Sequence, residues 1–290
     1  MNKVGICVYP RWEQAQQLGQ QLSRALEGRV REIWLVSAWD DEAARLNVEG
    51  TDLLICVGGD GTVLWAARAV IPHAVPILGI NMGRLGFLAE LGPAEVEERL
   101  PQILDGGGRI EERAMLQAQV PAWGQTYHGL NDVVVGRASA GQPVYIDVSV
   151  DSRRLALYRA DAVIVATATG STAYSLSAGG PILHPESKNL VLTPVAPHLA
   201  AACPIVLLPD ATIDLRVSTE RPAVVSIDGQ IDRPLSTGDR VSVCRSSYVA
   251  RFLRFGEPSD YYGFLAERLD WLRIISASEH PGLFGPGGPA

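Results

Sequence analysis

Leu53-Leu54-Ile55-Cys56-Val57-Gly58-Gly59-Asp60-Gly61-Thr62 is an apolar run of strand character that stops abruptly in glycines and a carboxylate. Val63-Leu64-Trp65-Ala66-Ala67-Arg68-Ala69 follows at helical spacing. A glycine turn between a buried strand and a helix start exposes backbone N–H groups beside the positive end of the helix dipole, which invites phosphate. Asp60 complicates that reading. An anion among these glycines repels phosphate unless it binds a divalent cation or takes a proton from an attacking hydroxyl. Two readings stay open: a turn for phosphoryl transfer, or a tight connection with Asp60 as helix cap.

Outward from this turn, strands and helices alternate on both sides. Val4–Tyr9, Glu32–Val36 and Val75–Ile80 read as further strands, and Ala15, Leu18, Leu22, Ala25 and Leu26 line one face of a helix over Trp12–Leu26. Ala94–Leu104 is another helix. This alternation predicts a parallel, Rossmann-like α/β sheet over residues 1–110, with function at the carboxyl ends of its strands. Asn81–Phe87 forms a second lip of the same crevice, and Gly106-Gly107-Gly108 a hinge or boundary.

Past Gly108 the texture changes to short strands separated by Gly, Pro, Asp and Asn, which predicts an antiparallel β-sandwich over 111–256. Among the expected strands are Met115–Val120, Leu130–Val135, Val144–Val150, Ala162–Ala166, Val241–Cys244 and Phe252–Phe255. Helical spacing returns over 257–275, read as packing back on the first domain, and the Gly/Pro-rich stretch 276–290 reads as a disordered tail.

Composition narrows the function. A chain of 290 residues with 47% hydrophobic and 20% charged residues is that of a folded globular protein, and the net charge of −7 argues against a broad nucleic-acid surface. No apolar stretch reaches bilayer length and the start lacks a signal-peptide pattern, so a cytoplasmic location is expected. Lys3 and Lys188 are the only lysines, so a fixed cation at a phosphate site must be an arginine or a metal. The four cysteines form no CxxC pair and the five histidines show no metal-ligand spacing.

Three constellations lie in the β half. Asn131-Asp132 sets an amide beside a carboxylate at a strand mouth, suited to the two hydroxyls of a ribose or to an Asx turn. Thr167 to Thr172 crowds hydroxyls and bare N–H groups after a strand, and Ala173, Tyr174 and Ser177 lead into Gly179-Gly180-Pro181. This suits a ligand with phosphates and sugars, with Tyr174 to stack on a base. Asp228-Gly229 alone reads as an ordinary β-turn.

Together Gly58–Thr62, Asn131-Asp132, Thr169–Tyr174 with Ser177–Pro181, and Asp228-Gly229 resemble the NAD kinase family over roughly residues 3 to 273. The resemblance implies an NAD kinase that transfers the γ-phosphoryl group of ATP, with Mg²⁺, to the 2′-hydroxyl of the adenosine ribose of NAD, and usually a homodimer or homotetramer. It implies Asp60 as general base and Gly58, Gly59, Gly61 and Thr62 around the phosphates. Asn131 and Asp132 would hold sugar hydroxyls or adenine, and Thr172, Ala173, Tyr174 and Ser177 would line the NAD pocket. Asp161 would contact the nicotinamide end, Phe87 border the adenine, Asp228 orient ribose or metal, and Arg159 reach a neighbouring subunit's ligand. No metal ligand is assigned. Ala162, Ala168 and Leu199–Cys203 depart from the family pattern. The competing readings are a lipid or sphingoid kinase, which needs an acyl-chain cleft, and a non-catalytic NAD(H) sensor, which gains little from a carboxylate beside phosphates.

Overall fold

In the computed structural model, every residue of the central strand Leu53–Gly58 is buried, as a strand covered on both faces requires. The structure describes residues 1–83, 86–139, 142–198, 202–219 and 222–269. Arg84 and Leu85 of the second lip, Leu199 to Ala201, the end of the helix expected over 257–275, and the tail at 276–290 lie outside the described residues. In chain order the first elements are β1 (Lys3–Val8), α1 (Glu13–Leu26), β2 (Glu32–Ser37), α2 (Asp41–Asn47), β3 (Leu53–Gly58), α3 (Asp60–Ala69), β4 (Pro76–Asn81) and α4 (Pro93–Leu104). Then come β5 (Arg109–Gln119), β6 (Thr126–Gly129), β7 (Asp132–Arg137), β8 (Val144–Val150), β9 (Arg153–Ala160) and β10 (Ala162–Ala166). The remainder is α5 (Tyr174–Ser177), β11 (Leu190–Val195), β12 (Ile205–Leu207), β13 (Ile213–Ser218), β14 (Ala223–Ile227), β15 (Ile231–Leu235), β16 (Arg240–Arg254) and α6 (Tyr261–Arg268).

One sheet runs β2-β1-β3-β4-β16-β13-β8-β9, with β5 paired to β16 and β6; the other runs β12-β11-β10-β7-β14-β15. The first four strands are parallel, with Cys7 opposite Cys56 across β1 and β3. The second sheet is antiparallel throughout. Ile146, Val148, Ile213 and Leu215 of one sheet pack on Val133, Val163, Val225 and Ile227 of the other, giving the expected sandwich.

The expected strands Val241–Cys244 and Phe252–Phe255 are two ends of one strand. β16 continues through the polar Ser246-Ser247-Tyr248 by a bulge between Arg245 and Val249. Its far end lies parallel to β4, with Phe252 opposite Ile77, while its near end pairs antiparallel with β13. The α/β sheet and one layer of the sandwich are therefore a single sheet. Gly108, at φ +95°, packs on the Arg254 carbonyl as a tight turn. Residues 256–290 form a separate unit, in whose described part the Arg268 guanidinium lies 4.2 Å from the Phe264 ring centroid.

Where β5 meets β16, the sheet encloses a charged cluster. Glu111 accepts from Arg113 Nε at 2.7 Å, Arg254 Nε at 3.3 Å and Arg109 at 3.4 Å, and Arg113 and Arg254 lie 5.1 and 5.0 Å from the Phe252 ring centroid. Burial opposes the Glu111 anion, but the three guanidiniums outweigh it and hold the carboxyl at about 2. The stabilisation is thus fully present above the ordinary carboxylate value and is lost as pH falls toward 2. Glu111→Gln, which leaves buried guanidinium charge uncompensated, is expected to cost about 3–5 kcal/mol at pH 7 in urea unfolding. That difference should shrink between about pH 4.5 and pH 2.

Candidate active site

Asp60 does not cap its helix. Gly59 occupies the cap position with no side-chain bond, and Asp60 is the first helical residue. Its carboxylate instead reaches across to the segment after β4, where Oδ2 accepts from the Phe87 N–H at 2.8 Å and Oδ1 from the Leu88 N–H at 3.2 Å. A side chain at Gly86 would occupy the space of that carboxylate. Arg254 fixes the same segment from the core, donating from Nη1 to the Leu88 carbonyl and to Glu90 Oε2, both at 3.0 Å. Glu90 Oε1 in turn accepts from the Phe255 N–H at 2.6 Å.

The glycines of the turn divide by cause. At Gly58 the Thr62 side chain fills the space a Cβ would take, whereas Gly59 and Gly61 meet nothing nearer than 4.0 and 3.7 Å. Packing demands the first glycine. The other two leave bare backbone at the carboxyl end of β3, the arrangement that phosphate uses.

On the other flank the Gly61 carbonyl accepts from Gln230 Nε2 at 2.8 Å. Arg68 joins the same network, donating to Gln230 Oε1 at 2.6 Å and to Asp228 Oδ2 at 3.1 Å. Asp228 has a fully buried side chain and also accepts from the backbone N–H groups of Leu130 at 2.9 Å, Asn131 at 2.7 Å and Asp132 at 3.2 Å. All these donors are N–H groups, so both oxygens serve as acceptors, as an ionised carboxylate does. Burial raises its pKa, against the pull of the backbone donors and Arg68. Asp228 and Gly229 stand at φ +53° and +62° in the three-residue turn, residues 228–230, that joins β14 to β15. Asp228 is saturated by the protein. It ties loops together, unlike the ribose- or metal-orienting group that the resemblance implies.

Asn131 and Asp132 open β7 beside this knot. The Asn131 carbonyl accepts from the Thr167 N–H at 2.9 Å, Thr167 Oγ1 donates to the Leu130 carbonyl at 2.5 Å, and any side chain at Gly170 would overlap the Asn131 backbone. The hydroxyl-rich turn is thereby held against the strand mouth. Ser171 Oγ donates to the Ala168 carbonyl at 2.6 Å, and buried Ser175 bonds Thr193 at 2.8 Å. Thr172 and Ala173 are half-buried, whereas Tyr174 and Ser177 are exposed on α5. The Thr62 and Thr169 hydroxyls, one in each turn, are buried with no partner among the described residues.

The structure thus links Gly58–Thr62, Phe87, Asn131, Asp132, Asp228 and the 167–177 turn in one chain of contacts. It places Arg159 and Asp161 elsewhere. They precede β10, whose Ala162 pairs with Gly136 while Ala166 pairs with Asp132, so a strand length of roughly 15 Å separates them from the site. Asp161 is ion-paired with Arg137 at 2.8 Å, and Arg159 is exposed on edge strand β9. Sequence reading missed Arg68, Gln230, Leu88 and Arg254. The lysine inventory signals that an arginine must be the fixed cation, and Arg68 lies two helical turns beyond Asp60 on the same face.

Burial, and behind it the Asp228 charge, pushes the Asp132 carboxyl up to about 7. A raised carboxyl binds its proton more tightly folded than unfolded, so stability falls as pH rises from about 4 to about 7. Asp132→Asn is therefore expected to raise the melting temperature by several degrees at pH 8 and by almost nothing at pH 4, read by thermal unfolding at both values.

Residues 3–108 match the family model described as ATP-NAD kinase N-terminal domain, and residues 130–255 match the ATP-NAD kinase C-terminal domain. The NAD kinase of Dehalococcoides mccartyi strain CBDB1 is 38% identical over 265 residues, covering 90% of this chain and 93% of that protein. The NAD kinase of Chloroflexus aurantiacus strain ATCC 29366 is 44% identical over 225 residues, 77% and 82% of the two chains. Yeast NADH kinase complexed with NADH shares the fold at a TM-score of 0.84 and 22% identity, covering 95% of this chain and 89% of that one. An NAD kinase from Archaeoglobus fulgidus in complex with ATP shares it at 0.74 and 24%, covering 92% and 98%. With both halves matched in order and relatives aligned over most of the length, the chain belongs to the NAD kinase family.

Proposed function

We propose that this protein is an NAD kinase, transferring the γ-phosphoryl group of ATP to the 2′-hydroxyl of the adenosine ribose of NAD to give NADP. The observation that carries this reading is the placement of Asp60. A carboxylate that forgoes its helix cap and is pinned by two N–H groups over a glycine turn has its charge held at the point where phosphate would bind. A base at that point removes the proton of the attacking hydroxyl, the new O–P bond forms, and ADP leaves in line. Bare N–H groups at Gly59 and Gly61 support the transferring phosphoryl charge.

Asn131 and Asp132 hold the ribose hydroxyls. A carboxyl near 7 there supplies both acceptor and donor forms at neutral pH. Thr172, Ala173, Tyr174 and Ser177 border NAD beyond them. Among the described residues no group of three His, Cys, Asp or Glu side chains could cage a metal. Mg²⁺ would arrive on the triphosphate as part of the donor substrate and would supply neutralisation of the phosphate charge there.

A homo-oligomer is supported by the outer face of β9 and β8, where Leu155, Leu157 and Tyr145 are each 43% exposed beside Arg159. Arg159 would then serve a neighbouring subunit's ligand, and Asp161 beside it the nicotinamide end. A cytoplasmic location fits four free cysteines, and among the described residues no helix is long and apolar enough to cross a membrane.

The test is NADP formation from NAD, ATP and Mg²⁺. Wild type should turn over, and Asp60→Asn should lose about 10²–10⁴-fold in kcat, the range for a positioned base, with NAD binding retained. NAD binding without turnover in wild type would favour a sensor, and phosphorylation of a sphingoid base would favour the lipid-kinase reading.

A further inference from the structure

Three aromatic rings stand at the carboxyl edge of the parallel strands, outside every role assigned above. Tyr9 follows β1, Trp12 immediately precedes α1, and Trp39 follows β2. Tyr9 and Trp12 lie 4.8 Å apart between centroids at 56°, and Tyr9 and Trp39 lie 5.5 Å apart at 80°. The central tyrosine is half-buried, while Trp12 and Trp39 are 42% and 43% exposed. Their core-facing neighbours Val8, Val36 and Ala38 are buried. The indoles therefore stand as a separate layer on the rim.

Two observations connect this layer to phosphate chemistry. The Tyr9 N–H donates to the Val57 carbonyl at 2.9 Å, which ties the rings to the strand that delivers the glycine turn. Trp12 Cη2 lies 4.0 Å from the place a side chain at Gly59 would occupy, as Gln230 lies beside Gly61. The turn thus has the aromatic layer on one flank and the β-rich wall of Asn131, Asp132 and the 167–177 turn on the other. Trp39 also stands at φ +70°, a left-handed backbone that a bulky side chain rarely adopts. That conformation sets the indole against Tyr9, at the mouth of the crevice.

We propose that Tyr9, Trp12 and Trp39 form a stacking shelf for the purine base of the phosphoryl donor. The proposal rests on the kinase reading and adds to it the donor's base site. A triphosphate laid over Gly59 and Gly61 with its γ-phosphoryl group toward Asp60 carries its nucleoside toward Trp12, while NAD occupies the opposite wall. Stacking on an indole face needs no hydrogen-bond code and excludes water from one side of the base.

The test compares wild type, Trp12→Ala and Trp12→Phe, each checked for native circular dichroism. With ATP varied at saturating NAD, Trp12→Ala should raise the KM for ATP about tenfold and leave the KM for NAD unchanged, and Trp12→Phe should restore most of the loss. ATP should quench tryptophan fluorescence in wild type and clearly less in Trp12→Ala, where Trp39 is the remaining shelf indole, and inorganic tripolyphosphate, which has phosphates and no base, should quench neither. An unchanged KM for ATP, an equal rise in both KM values, or a quench by tripolyphosphate matching that by ATP would overturn the shelf. The quench is read without turnover. A wild type that makes no NADP would therefore sink the kinase reading, while the ATP and tripolyphosphate titrations would still judge the shelf.

Discussion

The geometry of the site depends on one buried carboxylate. Asp228 lies out of water, and a desolvated charge is tolerated only where donors surround it. Its donors come from two places in the chain, the N–H groups of residues 130–132 and the guanidinium of Arg68 on α3, while the β14–β15 hairpin carries the carboxylate itself. Satisfying this one charge therefore fixes the mouth of β7, the side of α3 and the β14–β15 hairpin relative to one another. The other contacts of the site follow from it. Gln230, two residues on, reaches the Gly61 carbonyl, and Asn131, held by Asp228, receives the Thr167 turn.

A second restraint acts on the opposite side. β16 begins in the sandwich and ends beside β4, so Arg254 at its end can join Glu111 in the core to Leu88 and Glu90 at the crevice. The Phe87 and Leu88 N–H groups then hold Asp60. Asp60 is positioned by two independent routes, one through its own helix and Arg68, the other through the buried ion cluster. A carboxylate held from both sides needs little rearrangement when a hydroxyl and a phosphoryl group arrive.

Periodicity revealed most of the fold, because period and burial are local properties. The alternation before Gly108 and the short strands after it match the two kinds of sheet. The short helix α2 escaped notice, although Asp40 caps it by accepting from the Ala43 N–H at 3.0 Å. β6 is only four residues long and one of its two buried positions is a glycine, while β15 is an edge strand containing Pro234 with no buried alternation. The polar Ser246-Ser247-Tyr248 hid the continuity of β16 because a bulge allows polar residues inside a strand. At the site, motifs revealed which turns carry chemistry but not which turn touches which. Asp228 reads as a β-turn and is one, yet its burial depends on Arg68, 160 residues earlier in the chain. Trp12 and Trp39 belong to no motif, and their grouping needs the parallel order of β1 and β2.

The Asp228 carboxylate assembles the two halves of the site. Asp228→Asn keeps the volume and removes the charge, and its NADP formation and NAD affinity can be measured beside wild type on protein with native circular dichroism. NADP formation reduced at least a hundredfold, with NAD binding weakened in parallel, is the result this assembly predicts. Wild-type turnover and NAD affinity in the folded variant would contradict it.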